Sequence, residues 1–229
     1  MEYPHNRPYT ADDLVRIITL LRDPVNGCPW DKVQTHTSIR MNFLEEAYEA
    51  VDALDLDDPV LMCEGLGDVL MQVAFHTCME QETGRFTWEQ VCDGVCQKLI
   101  ERHPNIFGTQ PGYEGITDWD ALKNKEKGRR TLADDLESVP RAMPALMRAA
   151  KLQKRAARHG AALQGADAAA LADAAENLQT AQPASAQAEQ AVGELLFAAA
   201  NLARQAGVDP EQALQKANEA FCTAAGPVA

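Results

Sequence analysis

Between Leu44 and Asp68 the chain places nine Asp or Glu within 25 residues and no Lys or Arg. Asp57, Asp58 and Pro59 form a turn that divides this stretch into two helices, and so short a connection makes them antiparallel neighbours. Glu46 and Glu49, at i and i+3, then share one helical face, and Asp68 on the second helix is aimed back at them. Carboxylates crowded in this way require a cation, and an all-oxygen donor set suits a hard divalent metal. The bland alternative is a solvated helix face, the usual fate of an acidic run.

The rest of the composition agrees with helices. Aromatic residues make up 6% of the chain and β-branched runs are almost absent, so the 229 residues are expected to form an all-α protein of one domain or two small ones. A net charge of −13 excludes a nucleic-acid groove or an anionic membrane surface as the main partner, because both reward Lys and Arg. Six cysteines form no CxxC pair, and several sit among apolar helical residues as small hydrophobes do, so they read as reduced thiols. No apolar run reaches transmembrane length and the N-terminus lacks a signal pattern, which sets a cytoplasmic location as the default expectation.

Thr10, with Asp13 three residues on, caps a first helix that carries Leu14, Ile17, Ile18 and Leu21 on one face and stops near Asp23-Pro24. The loop NGCPWD follows, and its Trp30 either plugs a core edge or stacks on a base. The second helix is expected to turn Ile39, Phe43, Ala47, Ala50 and Leu54 inward. The third begins at Asp58-Pro59 and runs through Leu66, Val69, Leu70, Val73 and Ala74 towards Gly84. Thr87 with Gln90 caps a fourth that ends at His103-Pro104 and carries Lys98 and Arg102 one turn apart, by default as a solvated basic face. Residues 105–117 read as irregular, a lid or a mere connection, and Trp119 and Lys123 follow at i and i+4 on a short helical piece.

From Pro140 to Arg158 six basic residues and no acid decorate an amphipathic helix that is expected to bridge two halves or two subunits. Beyond Gly160 alanine dominates, giving weakly specified helix with a flexible joint at Pro183 and Ser185. Order recovers in VGELLFAAAN, an internal echo of LGDVLMQVAF, and Asp209-Pro210 opens a last helix.

The residues LEEAYEA, EGLGDVLMQVAFH, KLIERHPNIFG and WDALKNKEK, in that order, closely resemble the MazG family of nucleoside triphosphate pyrophosphohydrolases. NGCPWDKVQTH is similar to the segment ahead of that family's first acidic helix, and the resemblance covers nearly all of residues 11–130. It implies an all-α four-helix unit that assembles as a homodimer. It also implies an EExxE helix and an ExxD helix that bind Mg²⁺, with Mn²⁺ as a substitute, and cleavage of a nucleoside triphosphate into monophosphate and pyrophosphate. EExxE falls on Glu45, Glu46 and Glu49, with Glu46 and Glu49 as direct ligands, and the Asp of ExxD is Asp68. The Glu of ExxD would stand three residues earlier, where this chain has Gly65; Glu64 is adjacent, about 100° away around the helix, and reaches a metal only through water or distortion. The family's phosphate-binding cations fall on Lys98 and Arg102, its later Trp and Lys on Trp119 and Lys123, and Trp30 or Trp119 would meet the base.

The second half resembles the family's C-terminal repeat with its acids largely gone: the EExxE positions are Glu176, Asn177 and Thr180, and ExxD reads Ala191 to Glu194. The chain is therefore expected to comprise a catalytic unit over 1–130, a basic linker helix over 131–160, and a degenerate repeat over 161–229 that binds no metal and serves dimerisation or stability. Against the Mg²⁺-dependent hydrolase stand two rivals: a non-catalytic nucleotide- or metal-binding protein weakened at Gly65, and a plain helical interaction protein.

Overall fold

A computed structural model describes residues 2–5, 7–108 and 126–226, and the chain divides into two compact units, Met1–Ile116 and Thr117–Ala229. Among the described residues there is helix and no strand, so the protein is all-α.

The first unit contains α1 (Ala11–Leu21), α2 (Arg40–Asp55), α3 (Pro59–Glu82), α4 (Trp88–Arg102) and the short α5 (Pro104–Phe107). The expected caps are present. Thr10 and Asp13 form a reciprocal capping box on α1, Thr87 and Gln90 another on α4, and the Asp58 carboxylate accepts from Val60 and Leu61 N–H at the start of α3. Each such cap contributes about 1 kcal/mol by satisfying backbone donors that a helix cannot. α3 is the central element, packed against α1, α2 and α4. Its residues Ala74, Phe75, Cys78 and Met79 form the core with Ile18, Ile39 and Trp88.

Leu54, expected inside, is 51% exposed, and Leu66 and Leu70 on α3 are 55% and 41% exposed. α2 meets α3 through the small residues Ala50 and Ala53, which lets the backbones close up and turns Leu54 to solvent. α3 is apolar around most of its circumference, so burying one stripe against α1 and α2 leaves Leu66 and Leu70 uncovered.

In the second unit the central element is helix Ala186–Gln205, packed against helices Ala168–Thr180, Ala145–Arg158 and Pro210–Ala225. The basic helix 145–158, expected as part of a linker, thus packs within this unit. Alanines build the interior: Ala156, Ala166, Ala174, Ala191, Ala198 and Ala200 are all buried. So small a core is supplemented by buried polar pins. Gln153 Nε2 donates to the Phe197 carbonyl (2.7 Å) and Asn201 Nδ2 to the Ala166 carbonyl (2.6 Å). Asp135, 1% exposed, meets Arg155 (3.1 Å), Arg158 (2.8 Å) and His159 (3.1 Å).

Candidate active site

Asp57, at φ 53°, reverses the chain between α2 and α3. The two helices then close on each other at Gly65. A Cβ built there would lie 3.0 Å from Ala50 Cα and 3.3 Å from Ala50 Cβ, closer than a side chain is normally tolerated. Gly65 was expected to mark a vacant ligand position that weakens its helix; the structure gives it a packing reason, because only a residue without a side chain lets α3 lie this close to α2.

That close approach fixes the register of the acids. Moving from the contact towards the start of α2 leads to Glu49 and Glu46, and moving along α3 leads to Asp68 and Gln72. Glu49, Asp52, Glu64 and Asp68 line a cleft of about 310 Å³, with Gly65 at its wall and Leu56 and Leu61 beside the turn. Burial raises the Glu46 carboxyl above the ordinary carboxylate range; repulsion from Asp68, Glu49 and Glu45 adds to this, and a hydrogen bond from Gln72 partly offsets it. Glu46, Glu49 and Asp68 are therefore near neighbours across the helix pair, and no Lys or Arg pairs with them among the described residues.

A hard divalent cation fits these groups by chemistry, since all are oxygen donors whose mutual repulsion it would relieve. By geometry the set is open. Among the described residues no three His, Cys, Asp or Glu side chains are gathered closely enough to hold a metal as they stand.

The other expected site residues lie elsewhere. Glu45 is exposed on α2. Lys98 is exposed on α4 and Arg102 half-buried in its last turn, and neither lines the acidic cleft. Trp30 is 56% exposed, which removes the core-plug reading. Trp119 and Lys123 fall outside the described residues.

Some participants escaped sequence reasoning. Asp52 lines the cleft one turn beyond Glu49; Gln72 supports Glu46 one turn beyond Asp68. Both lie at i+3 or i+4 from a recognised acid, a spacing that would have found them. Arg22 gave no signal. Buried at the end of α1, its guanidinium pairs with Glu82 (2.5 and 2.8 Å) and donates to the carbonyls of Asp31 (2.8 Å) and Gln34 (3.2 Å), so it pins both ends of the turn that follows Trp30. Beside α2, His36 joins His76 (2.7 Å) and Glu80 (2.5 Å), and burial together with His36 pushes His76 below the ordinary histidine range.

An all-helical unit in which an antiparallel helix pair presents uncompensated carboxylates to one cleft is suited to metal-assisted chemistry on phosphates. The family model for the MazG nucleotide pyrophosphohydrolase domain matches residues 34–107, the segment holding α2, α3 and α4. The chain is 41% identical over 219 residues to a nucleoside triphosphate pyrophosphohydrolase of Escherichia coli (strain K12), covering 92% of this chain and 83% of that protein. It is 38% identical over 212 residues to the nucleoside triphosphate pyrophosphohydrolase/pyrophosphatase MazG of Thermotoga maritima, covering 92% and 82%. A nucleoside triphosphate pyrophosphohydrolase of Mycobacterium tuberculosis is 34% identical over 154 residues, 66% of this chain and 46% of that protein. The chain belongs to the MazG nucleotide pyrophosphohydrolase family.

Proposed function

We propose that this protein hydrolyses nucleoside triphosphates to the monophosphate and pyrophosphate, at the acidic cleft of its first unit and with Mg²⁺ as cofactor, Mn²⁺ substituting. The reading is carried by one observation: Glu46 is repelled by Glu49 on its own helix and by Asp68 across the helix pair, and no Lys or Arg pairs with these three among the described residues. The relatives' names supply the reaction, and they disfavour a non-catalytic binding role. Glu46, Glu49 and Asp68 would hold the metal, with Glu64 reaching it from the cleft wall. When bound, the metal neutralises phosphate oxygens and favours in-line attack of water at the α-phosphorus. Glu45 orients that water or braces a ligand. Lys98, Arg102 and Lys123 supply counter-charge to the triphosphate, and Trp30 and Trp119 the aromatic faces for a base.

Replacing Asp68 with Asn keeps the shape and removes one donor charge. Pyrophosphate release with Mg²⁺ is expected to fall by on the order of 10²-fold or more, several kcal/mol of lost stabilisation, with thermal stability unchanged. Wild-type turnover by the variant would place the chemistry elsewhere.

The working form is a homodimer in the cytoplasm. No helix among the described residues is long and apolar enough to cross a membrane. Support for pairing comes from the apolar side chains that α3 and α4 leave uncovered, Leu66 and Leu70 with Val95 and Leu99. A second copy would remove them from water at about 25 cal/mol per Å². Sedimentation should find a dimer that Leu66→Lys converts to monomer; a monomeric wild type sinks the assembly.

A further inference from the structure

We propose that the second unit carries a binding site for a small polyphosphate anion, separate from the acidic cleft. The site is a concavity of about 640 Å³ between helix Ala145–Arg158 and the turn joining the last two helices, Arg204 to Pro210. That volume falls within the range of small-molecule sites.

Met147, Lys151 and Lys154 follow at i, i+4 and i+7, so one face of the basic helix lines the cleft. Neither lysine has an ion-pair or hydrogen-bond partner among the described residues. Across from them, Arg204 Nε donates to Asn201 Oδ1 (2.9 Å), whose amide is itself tied to Ala166, which fixes the guanidinium and leaves its terminal amino groups for a ligand. Arg155, 7% exposed, lines the same cleft, but its guanidinium is already engaged by Asp135 (3.1 Å), so the lysines and Arg204 supply the donors.

Asp209 supplies the cleft's acid, and its carboxylate is already engaged by the N–H groups of Glu211 (3.0 Å) and Gln212 (3.1 Å). Several cations thus converge on one concavity in a chain of net charge −13. A solvated basic face would present the lysines on a convex helix surface. Lysines acting as point charges and an arginine presenting a fork match the oxygens of linked phosphates better than those of a single carboxylate. Met143, Met147 and Val208 give the cleft an apolar wall able to receive a nucleoside, so the polyphosphate is either free or carried on one.

Calorimetry on the full-length protein in EDTA tests this, because metal-dependent binding at the acidic cleft is then silent. Titration with pyrophosphate, and separately with ATP, is expected to show saturable binding that weakens as salt is raised. The Lys151→Ala/Lys154→Ala double variant and Arg204→Ala should each weaken it by about tenfold or more while circular dichroism remains native, and Asp68→Asn should leave it unchanged. ATP binding at least about tenfold tighter than pyrophosphate identifies a nucleotide, and equal or weaker binding identifies free polyphosphate. The proposal is overturned by no binding of either probe at millimolar concentration, by equal binding in the lysine and arginine variants, or by loss of binding in Asp68→Asn. It is equally overturned if the lysine variants change the oligomeric state, since the cleft would then be covered by a second copy. Failure of pyrophosphate release leaves this test untouched, because no turnover is involved.

Discussion

In the first unit α2 passes into α3 through Asp57 at φ 53°, and Asp58 caps the next helix; in the second, helix 168–180 passes into helix 186–205 through Ala184 at φ 57°, and Ser185 caps. In each unit the helix after that turn is the centre on which the others pack. Each also has a buried arginine late in, or just after, its preceding basic or amphipathic helix: Arg22 on Glu82, Arg155 on Asp135. The backbone plan is thus shared, while the side chains at the helix junction differ. One unit sets Glu46, Glu49 and Asp68 there. The other has Asn177 and Thr180, and its Glu194 is held by Gln190 (2.8 Å) while Thr180 bonds back to its own helix carbonyls. Caps, turn and small-residue contacts are enough to keep the helix pair; the acids are an addition that the fold does not need, and their repulsion acts against it.

The comparison can be broken most severely at the buried polar pins. Asp135→Ala strands Arg155 in a core of alanines and is expected to cost the second unit about 3–5 kcal/mol. Calorimetric unfolding should then show a transition moved to lower temperature, with pyrophosphate release at low temperature retained. Loss of activity in step with that transition would mean the two units do not unfold separately.

A smaller effect sits at the helix contact. Gly65→Ala gains about 1 kcal/mol of helix propensity but forces a methyl group to within 3.0 Å of Ala50 Cα, an overpacking cost of about 1–3 kcal/mol. Net destabilisation of about 1 kcal/mol is expected by denaturant titration, and Gly65→Glu should cost more. The second unit has Ala191, 2% exposed, in the corresponding helix, and Ala191→Gly should destabilise it through lost packing and added chain entropy. If Gly65→Ala proves stabilising, the close approach has no energetic weight.

The smallest effect is a pH dependence confined to the first unit. The folded Glu46 carboxyl titrates above its unfolded value, so the folded state holds the extra proton in the window between the two. Its contribution to stability is therefore best at the acid side and declines as pH rises through the folded value. Mg²⁺ should stabilise the protein most above that window and little below it, where protons occupy the donors. Glu46→Gln should flatten the dependence seen in metal-free thermal melts; an unaltered profile would assign it to other groups.

Much of this was legible without coordinates. Thr10, Asp58, Thr87 and Asp209 announce helix starts because capping is a local bond between residues two or three apart. The acids of 44–68 are visible because their charge imbalance is local too. Leu54 was misread, and the exposure of Leu66 and Leu70 was not legible, because periodicity identifies apolar faces without saying which of several faces finds a partner. Arg22 and Asp135 were invisible for a related reason: their partners lie 60 and 20 residues away in sequence.

The sequence by itself determined the all-α class, the positions of the caps, the acidic helix pair and the family, since each rests on near neighbours or on a pattern of short motifs. Tertiary structure decided what Gly65 is for, which carboxylates share a cleft, and which cations of the second unit converge. Those depend on how closely two helices approach and at what register, and a contact between Gly65 and Ala50 fixes both only once the chain has folded back on itself.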